Sequence, residues 1–168
     1  VTGITVVDGH ELAAGKLSAL LSRRQARDLF DCSNLFRLGG LDRDRLRLAF
    51  VVYGAMSRKD WRTVALANVD VDTADLEQKL IPMLRTAGSN EIRKDHFGKG
   101  LVEDCRNLLA GLLPFTVPEQ EFLDRILDKG EIVPDLLTDD EALQDRIRSH
   151  PLLEWKALNV RGHNKKGR

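Results

Sequence analysis

From Gly9 onward the apolar residues recur at three- and four-residue spacing, and capping residues, glycines and prolines break them into short runs. A chain punctuated in this way is committed to packed helices, because strands would need apolar and polar residues to alternate. Asp8, with Glu11 three residues later, opens a helical run through Ala13, Lys16, Leu17, Leu20 and Leu21. Ser22 with Gln25 repeats that signature, so the chain is expected to restart as a second helix over 23–38, ended by Gly39 and Gly40. The apolar run within 41–56 predicts a core helix, Asp60 caps a short one through Trp61, and Asp72 caps another in which Pro82 should cause a bend or a division. The polar, glycine-rich stretch 87–100 reads as a loop, followed by a helix over 101–113 that Pro114 stops. Pro118 suits the first turn of a helix ending at Gly130, and Thr138 with Glu141 caps one over 139–149. Pro151 opens a last short helix through Leu153 and Trp155, and the basic tail from Arg161 is expected to fray.

The fold class that follows is mainly α, a helical bundle of seven or eight helices. With aromatic residues at 5%, Leu, Ile and Val must build its core. Only Ile4, Thr5, Val6 and Val7 read as a strand, and a lone strand needs a sheet supplied from elsewhere. The expected organisation is residues 1–8 as the last strand of a truncated domain, 9–160 as a C-terminal helical region and 161–168 as a basic tail.

Basic and acidic residues balance at 26 each, so no global field draws the chain to nucleic acid, and any such affinity must be local. Cys32 and Cys105 lie far apart in sequence without CxxC or Cys/His spacing, which argues against a zinc site or a disulfide framework and fits a reducing, cytoplasmic setting. No apolar stretch approaches the length of a membrane span, so no membrane partner is expected.

Charge gathers against core in one place, residues 11–35. Lys16 lies on an apolar stripe, and Arg23, Arg24, Arg27, Asp28 and Asp31 crowd beside Leu29 and Phe30. One reading is a structural network: Arg24 with Asp28 and Arg27 with Asp31 are i, i+4 pairs, each worth about 0.2–0.5 kcal/mol on an exposed helix. The other is a ligand site. On one unbroken helix Lys16 and Asp28 would lie about 18 Å apart and could not share a ligand. A break at Ser22 would let the second helix fold back and bring the ammonium and the carboxylate together. A lysine, an arginine and one or two carboxylates suit phosphoryl or nucleotidyl transfer, in which cations hold a triphosphate and a carboxylate accepts a proton or holds a metal-bound water.

The pattern Glu11-x4-Lys16-Leu17-x-Ala19-Leu20, then Arg23 and Arg27-Asp28-Leu29-Phe30-Asp31, resembles a segment of the AbiEii-type nucleotidyltransferase toxins of type IV abortive-infection toxin–antitoxin systems. The stretch from His150 to Lys156 is similar to one near their C-terminus. The resemblance implies the C-terminal part of an enzyme with an N-terminal mixed sheet, using NTP and Mg²⁺, with tRNA as acceptor, a role in phage defence, and a cognate antitoxin that acts without a tight complex. It implies that Lys16 and Asp28 are the catalytic pair, that Lys16 contacts nucleotide phosphates with Arg27, that Asp28 acts as the base or orients the reacting group, and that Glu11, Arg23 and Asp31 support them. The family's Gly-Ser turn followed by an Asp-x-Asp metal pair is absent, so no metal ligands are assigned and this chain alone is expected to be inactive. Asp70-x-Asp72 has the spelling without the preceding turn, and the 95–100 Gly/Lys stretch lacks P-loop spacing. The rival expectation is a non-enzymatic helical module that binds a partner protein or RNA.

Overall fold

The structure, a computed structural model, describes residues 8–85 and 94–166. The strand expected at 4–7 lies outside them, as do residues 87–93 of the polar stretch. Eight helices occur among the described residues: α1 (Gly9–Arg23), α2 (Ala26–Leu38), α3 (Arg43–Ala55), α4 (73–85), α5 (Lys94–Ala110), α6 (117–129), α7 (Glu141–Arg148) and α8 (Pro151–Lys166). Short 3₁₀ turns at Trp61–Thr63, Leu66–Asn68 and Pro134–Leu136 link them. The chain is mainly α, as its periodicity requires.

Two compact units divide the chain, and neither is continuous in sequence. The first comprises Val1–Phe50 and Ala65–Leu113; the second comprises Val51–Val64 and Pro114–Arg168. In the first unit α2 packs against both α1 and α5, burying Leu17, Leu20, Leu29, Leu101 and Leu109 completely or nearly so. In the second, α6 packs against α8 and the turn at Trp61, and Trp61, Phe122, Leu123, Ile126 and Leu153 are fully buried. The backbone of Gly54 lies against the Trp61 indole: a Cβ there would fall 1.9 Å from its ring nitrogen.

Most helix ends follow local chemistry. Asp8, Asp60 and Asp72 cap as expected, and Thr116 with Glu119 forms a reciprocal capping box with Pro118 in the first turn. Gly130 closes α6 in the left-handed region at φ 67°. Within α4 a π-helical segment, Leu76–Leu80, precedes Pro82, which has no N–H to continue the ordinary ladder. Four expectations change. Residues 94–100 are helical rather than a loop, because Gly98 lets α5 pack close to Leu76 and Phe97 meets Phe30 at a ring separation of 6.4 Å. The second box does not form: Gln25 is the residue before α2 and makes no side-chain cap bond, and the helix starts at Ala26 rather than Arg23. Asp140 rather than Thr138 caps α7, accepting from the Ala142 and Leu143 amides. The basic segment does not fray at Arg161, since α8 continues to Lys166 and Asn164 donates to the Asp128 carbonyl at 2.8 Å.

Candidate functional site

An elbow between α1 and α2 builds the site. Arg24 adopts the left-handed conformation at φ 55°, its N–H bonded to the Leu20 carbonyl at 2.9 Å, and Gln25 is extended. The break falls just past Ser22, and an αL residue makes it instead of the Ser22/Gln25 box. Asp75 of α4 supplies the missing cap, accepting from the Ala26 N–H at 2.7 Å. Lys79, bonded to Asp75 at 2.6 Å, and the Ala26 N–H together hold the Asp75 carboxyl below its ordinary value.

Past the elbow the chain folds back. Lys16 Nζ donates to Asp31 Oδ2 at 2.6 Å, and Arg23 Nη2 donates to Asp28 Oδ1 at 3.0 Å. Those two bonds pair early α1 with later α2 and late α1 with early α2, so the helices run antiparallel. Asp28 and Asp31 are one turn apart on the same face, about 5–6 Å between Cβ atoms, so Lys16 and Asp28 share that face. The i, i+4 pairs suggested by the sequence, Arg24 with Asp28 and Arg27 with Asp31, give way to these cross-helix pairs.

Asp28 stands out chemically. It is 4% exposed, and its Oδ2 is buried without a hydrogen-bond partner. A buried carboxylate oxygen left unbonded is costly, which is why such groups are rare outside sites that receive a ligand or a proton. Arg27 points to solvent and makes no ion pair among the described residues, so the fold does not bring it to the cluster. Glu11 sits more than a turn from Lys16, its amide donating to the Asp8 cap at 3.4 Å.

Contacts that sequence reasoning missed hold α2 in place. Asp104 of α5 accepts from Ser33 Oγ at 2.7 Å and Arg37 Nε at 2.8 Å, and Cys105 Sγ donates to the Leu29 carbonyl at 3.4 Å. Cys105 and burial push the neighbouring Cys32 thiol far above its ordinary range, so it stays protonated and unreactive. No local signal marks these pairings, because they join residues far apart in sequence.

The model of the family described as nucleotidyl transferase AbiEii toxin, type IV TA system, matches residues 1–129. The chain belongs to the AbiEii family. Searches of curated proteins and of solved structures returned no match. The match takes in the elbow, both cross-helix pairs and the unbonded Asp28 oxygen, and it stops before α7 and α8. Mg²⁺, implied for AbiEii chemistry, is not suited by the donors here: Asp31 and one oxygen of Asp28 already hold cations, and no group of three His, Cys, Asp or Glu side chains gathers among the described residues. Asp70 and Asp72 turn their carboxylates to the backbone, accepting from the amides of Val71 and of Ala74 and Asp75 respectively. Among the described residues no helix is long and apolar enough to cross a membrane.

Proposed function

We propose that the α1–α2 elbow is the triphosphate-holding and proton-accepting part of a nucleotidyl transfer site that moves a nucleotide from NTP to tRNA. The observation that carries this reading is the unbonded, buried Oδ2 of Asp28 on the face it shares with Lys16. Lys16 is 36% exposed, so a triphosphate can approach its ammonium and compete with Asp31 for it. Arg23 neutralises Asp28 through Oδ1 and leaves Oδ2 to accept the proton of an attacking acceptor hydroxyl. Asp31 keeps Lys16 aimed along α2 until the nucleotide arrives. Arg27, solvent-facing, serves as an outer phosphate contact.

The donors described here do not suit a metal, so no step is assigned to one. In this reading transfer needs metal-binding carboxylates from outside these 168 residues, and the chain alone is inactive. The family's type IV toxin–antitoxin description supports a cognate antitoxin, proposed to act without a tight complex. The closed Lys16–Asp31 pair favours the rival, a non-enzymatic module whose charges are purely structural.

To separate the two, the gene encoding the chain is expressed intact and assayed for transfer of labelled nucleotide to tRNA. Lys16→Ala and Asp28→Ala should each lower transfer by at least about 100-fold, the scale of losing a positioned acid–base or electrostatic group. Undiminished transfer in both variants would exclude the elbow as the site.

A further inference from the structure

Among the described residues four occupy the left-handed region, and three of them are glycines: Gly39, Gly40 and Gly130. The fourth is Arg24, at φ 55°. A side chain in that conformation crowds the following carbonyl oxygen, so a helix that ends this way most often uses glycine. This chain keeps glycine for every other such position described and sets an arginine at the elbow. A residue held in an unfavourable conformation beside a candidate site points to a use for its side chain.

That side chain is uncommitted. From Arg23 to Arg27 the sequence carries three arginines and no acid. The acids that the fold brings to the elbow are engaged by other cations: Asp28 by Arg23, Asp31 by Lys16 and Asp75 by Lys79. Arg24 is exposed and, like Arg27, makes no ion pair among the described residues. The elbow therefore carries positive charge in excess beside Asp28, whose Oδ2 is buried and unbonded. The reaction proposed above gives Arg24 no part, and the stop that it forms between α1 and α2 needs only its backbone, whose N–H meets the Leu20 carbonyl.

Its position decides which phosphate it can meet. The fold-back sets Lys16 beside Asp31 and Arg23 beside Asp28, so along the elbow Asp28 lies between Lys16 and the turn. Arg24 stands about 12 Å beyond Lys16 along the axis of α1, at 1.5 Å per residue. In an in-line displacement the attacking hydroxyl and the leaving phosphates lie on opposite sides of the transferred group. With the leaving phosphates on Lys16, the acceptor enters on the turn side of Asp28, where Arg24 is. We infer that Arg24 holds a backbone phosphate of the acceptor RNA, next to the hydroxyl that gives its proton to Asp28; the inference rests on the reaction proposed above. A guanidinium fork matches the oxygens of a phosphate, and such a contact positions a nucleic acid without reading its sequence.

The strained backbone makes the test direct, because removing the side chain should help stability while it harms binding. The intact protein is titrated with fluorescein-labelled total tRNA over a salt series, read by anisotropy, and with each of the four NTPs, read by calorimetry. Arg24→Gly should raise the thermal midpoint by about 2–4 °C as the strain is relieved. It should also weaken tRNA binding by about ten-fold and reduce the salt slope by about one. Arg24→Ala keeps the strain and should lose the same affinity without the gain in midpoint, so binding and stability are read apart. Arg24→Lys keeps the charge and should restore most of the salt slope. NTP affinity should stay the same in all three. Unchanged tRNA affinity in Arg24→Gly, no tRNA binding by the wild type, a midpoint that glycine does not raise, or a loss that falls on NTP instead of tRNA would each overturn the inference, the last moving Arg24 to the nucleotide. Lys16-dependent transfer alongside undiminished tRNA binding by Arg24→Gly would sink this inference alone. Arg24-dependent tRNA binding without any transfer would sink the proposed reaction and leave the phosphate contact standing.

Discussion

Arg23→Ala tests whether Asp28 is held in the core as a charge. The substitution strips the partner from Oδ1 while Oδ2 already has none, leaving a carboxylate that is 4% exposed without a hydrogen bond to either oxygen. Breaking a buried pair in this way costs about 3–5 kcal/mol. The Arg23 side chain is 58% exposed, however, so water can replace part of what it provides, and about 2 kcal/mol is the better figure. For a chain of this size that lowers the thermal midpoint by about 4–8 °C, read by circular dichroism. The second arm removes the charge itself. Asp28→Asn added to Arg23→Ala leaves a neutral amide in the same space, and it should restore about 1 kcal/mol relative to Arg23→Ala alone. A double variant no more stable than Arg23→Ala would refute the reasoning, since the penalty would then not come from a buried charge. The double variant should also fail to transfer nucleotide, because an amide cannot take the proton.

Two further substitutions probe the frame around the site. Gly54→Ala, which in an exposed helix would gain about 1 kcal/mol, should instead cost about 3 kcal/mol or more, because the new Cβ would fall 1.9 Å from the Trp61 ring nitrogen; a neutral or raised thermal midpoint would show that the indole can move aside. Asp75 links the α2 cap to pH. Its carboxyl is held below the ordinary 3.8, mainly by Lys79 and then by the Ala26 N–H, so its stabilisation is fully present above that value and disappears as pH falls through the lower folded value. Asp75→Asn should therefore lose stability at neutral pH and flatten the acid limb of a pH-stability curve, and an unchanged acid limb would remove Asp75 from the account.

Where a helix end depends on its own residues, the sequence is a reliable guide: Asp8, Asp60, Asp72 and Gly130 act as their chemistry dictates. It misleads where distant residues decide. The Ser22/Gln25 box is a genuine local option, but Asp75, far along the chain, offers the Ala26 amide a better-placed acceptor. Residues 94–100 look like a loop because Gly98 and Gly100 are poor helix formers, yet Gly98 packs close to Leu76, whose Cδ2 would lie 2.8 Å from a Cβ there. The candidate site is legible to the same degree. A break in the helix is enough to put Lys16 and Asp28 on one face, and both the spacing and the break are written locally. Which cation meets which carboxylate depends on the fold-back, so adjacent i, i+4 pairs were the natural reading and cross-helix pairs are what form. Burial of Asp28 depends on what packs over α2, which no local pattern records.

The division between the two units falls inside α3, between Phe50 and Val51. One helix thus begins in one folded body and ends in the other, and the second body is assembled from two separate stretches of chain. As the chain is synthesised, 51–64 emerges long before the segment that completes its core, so the Trp61 turn must wait for α6 to pack against it. The same arrangement makes residue 129 a poor place to cut. A piece trimmed to the family match would keep Phe122 and Ile126 while discarding Leu153 and Ala157, dividing one core between what is kept and what is lost. In this chain the limit of recognisable kinship and the limit of a stable folded body are different places.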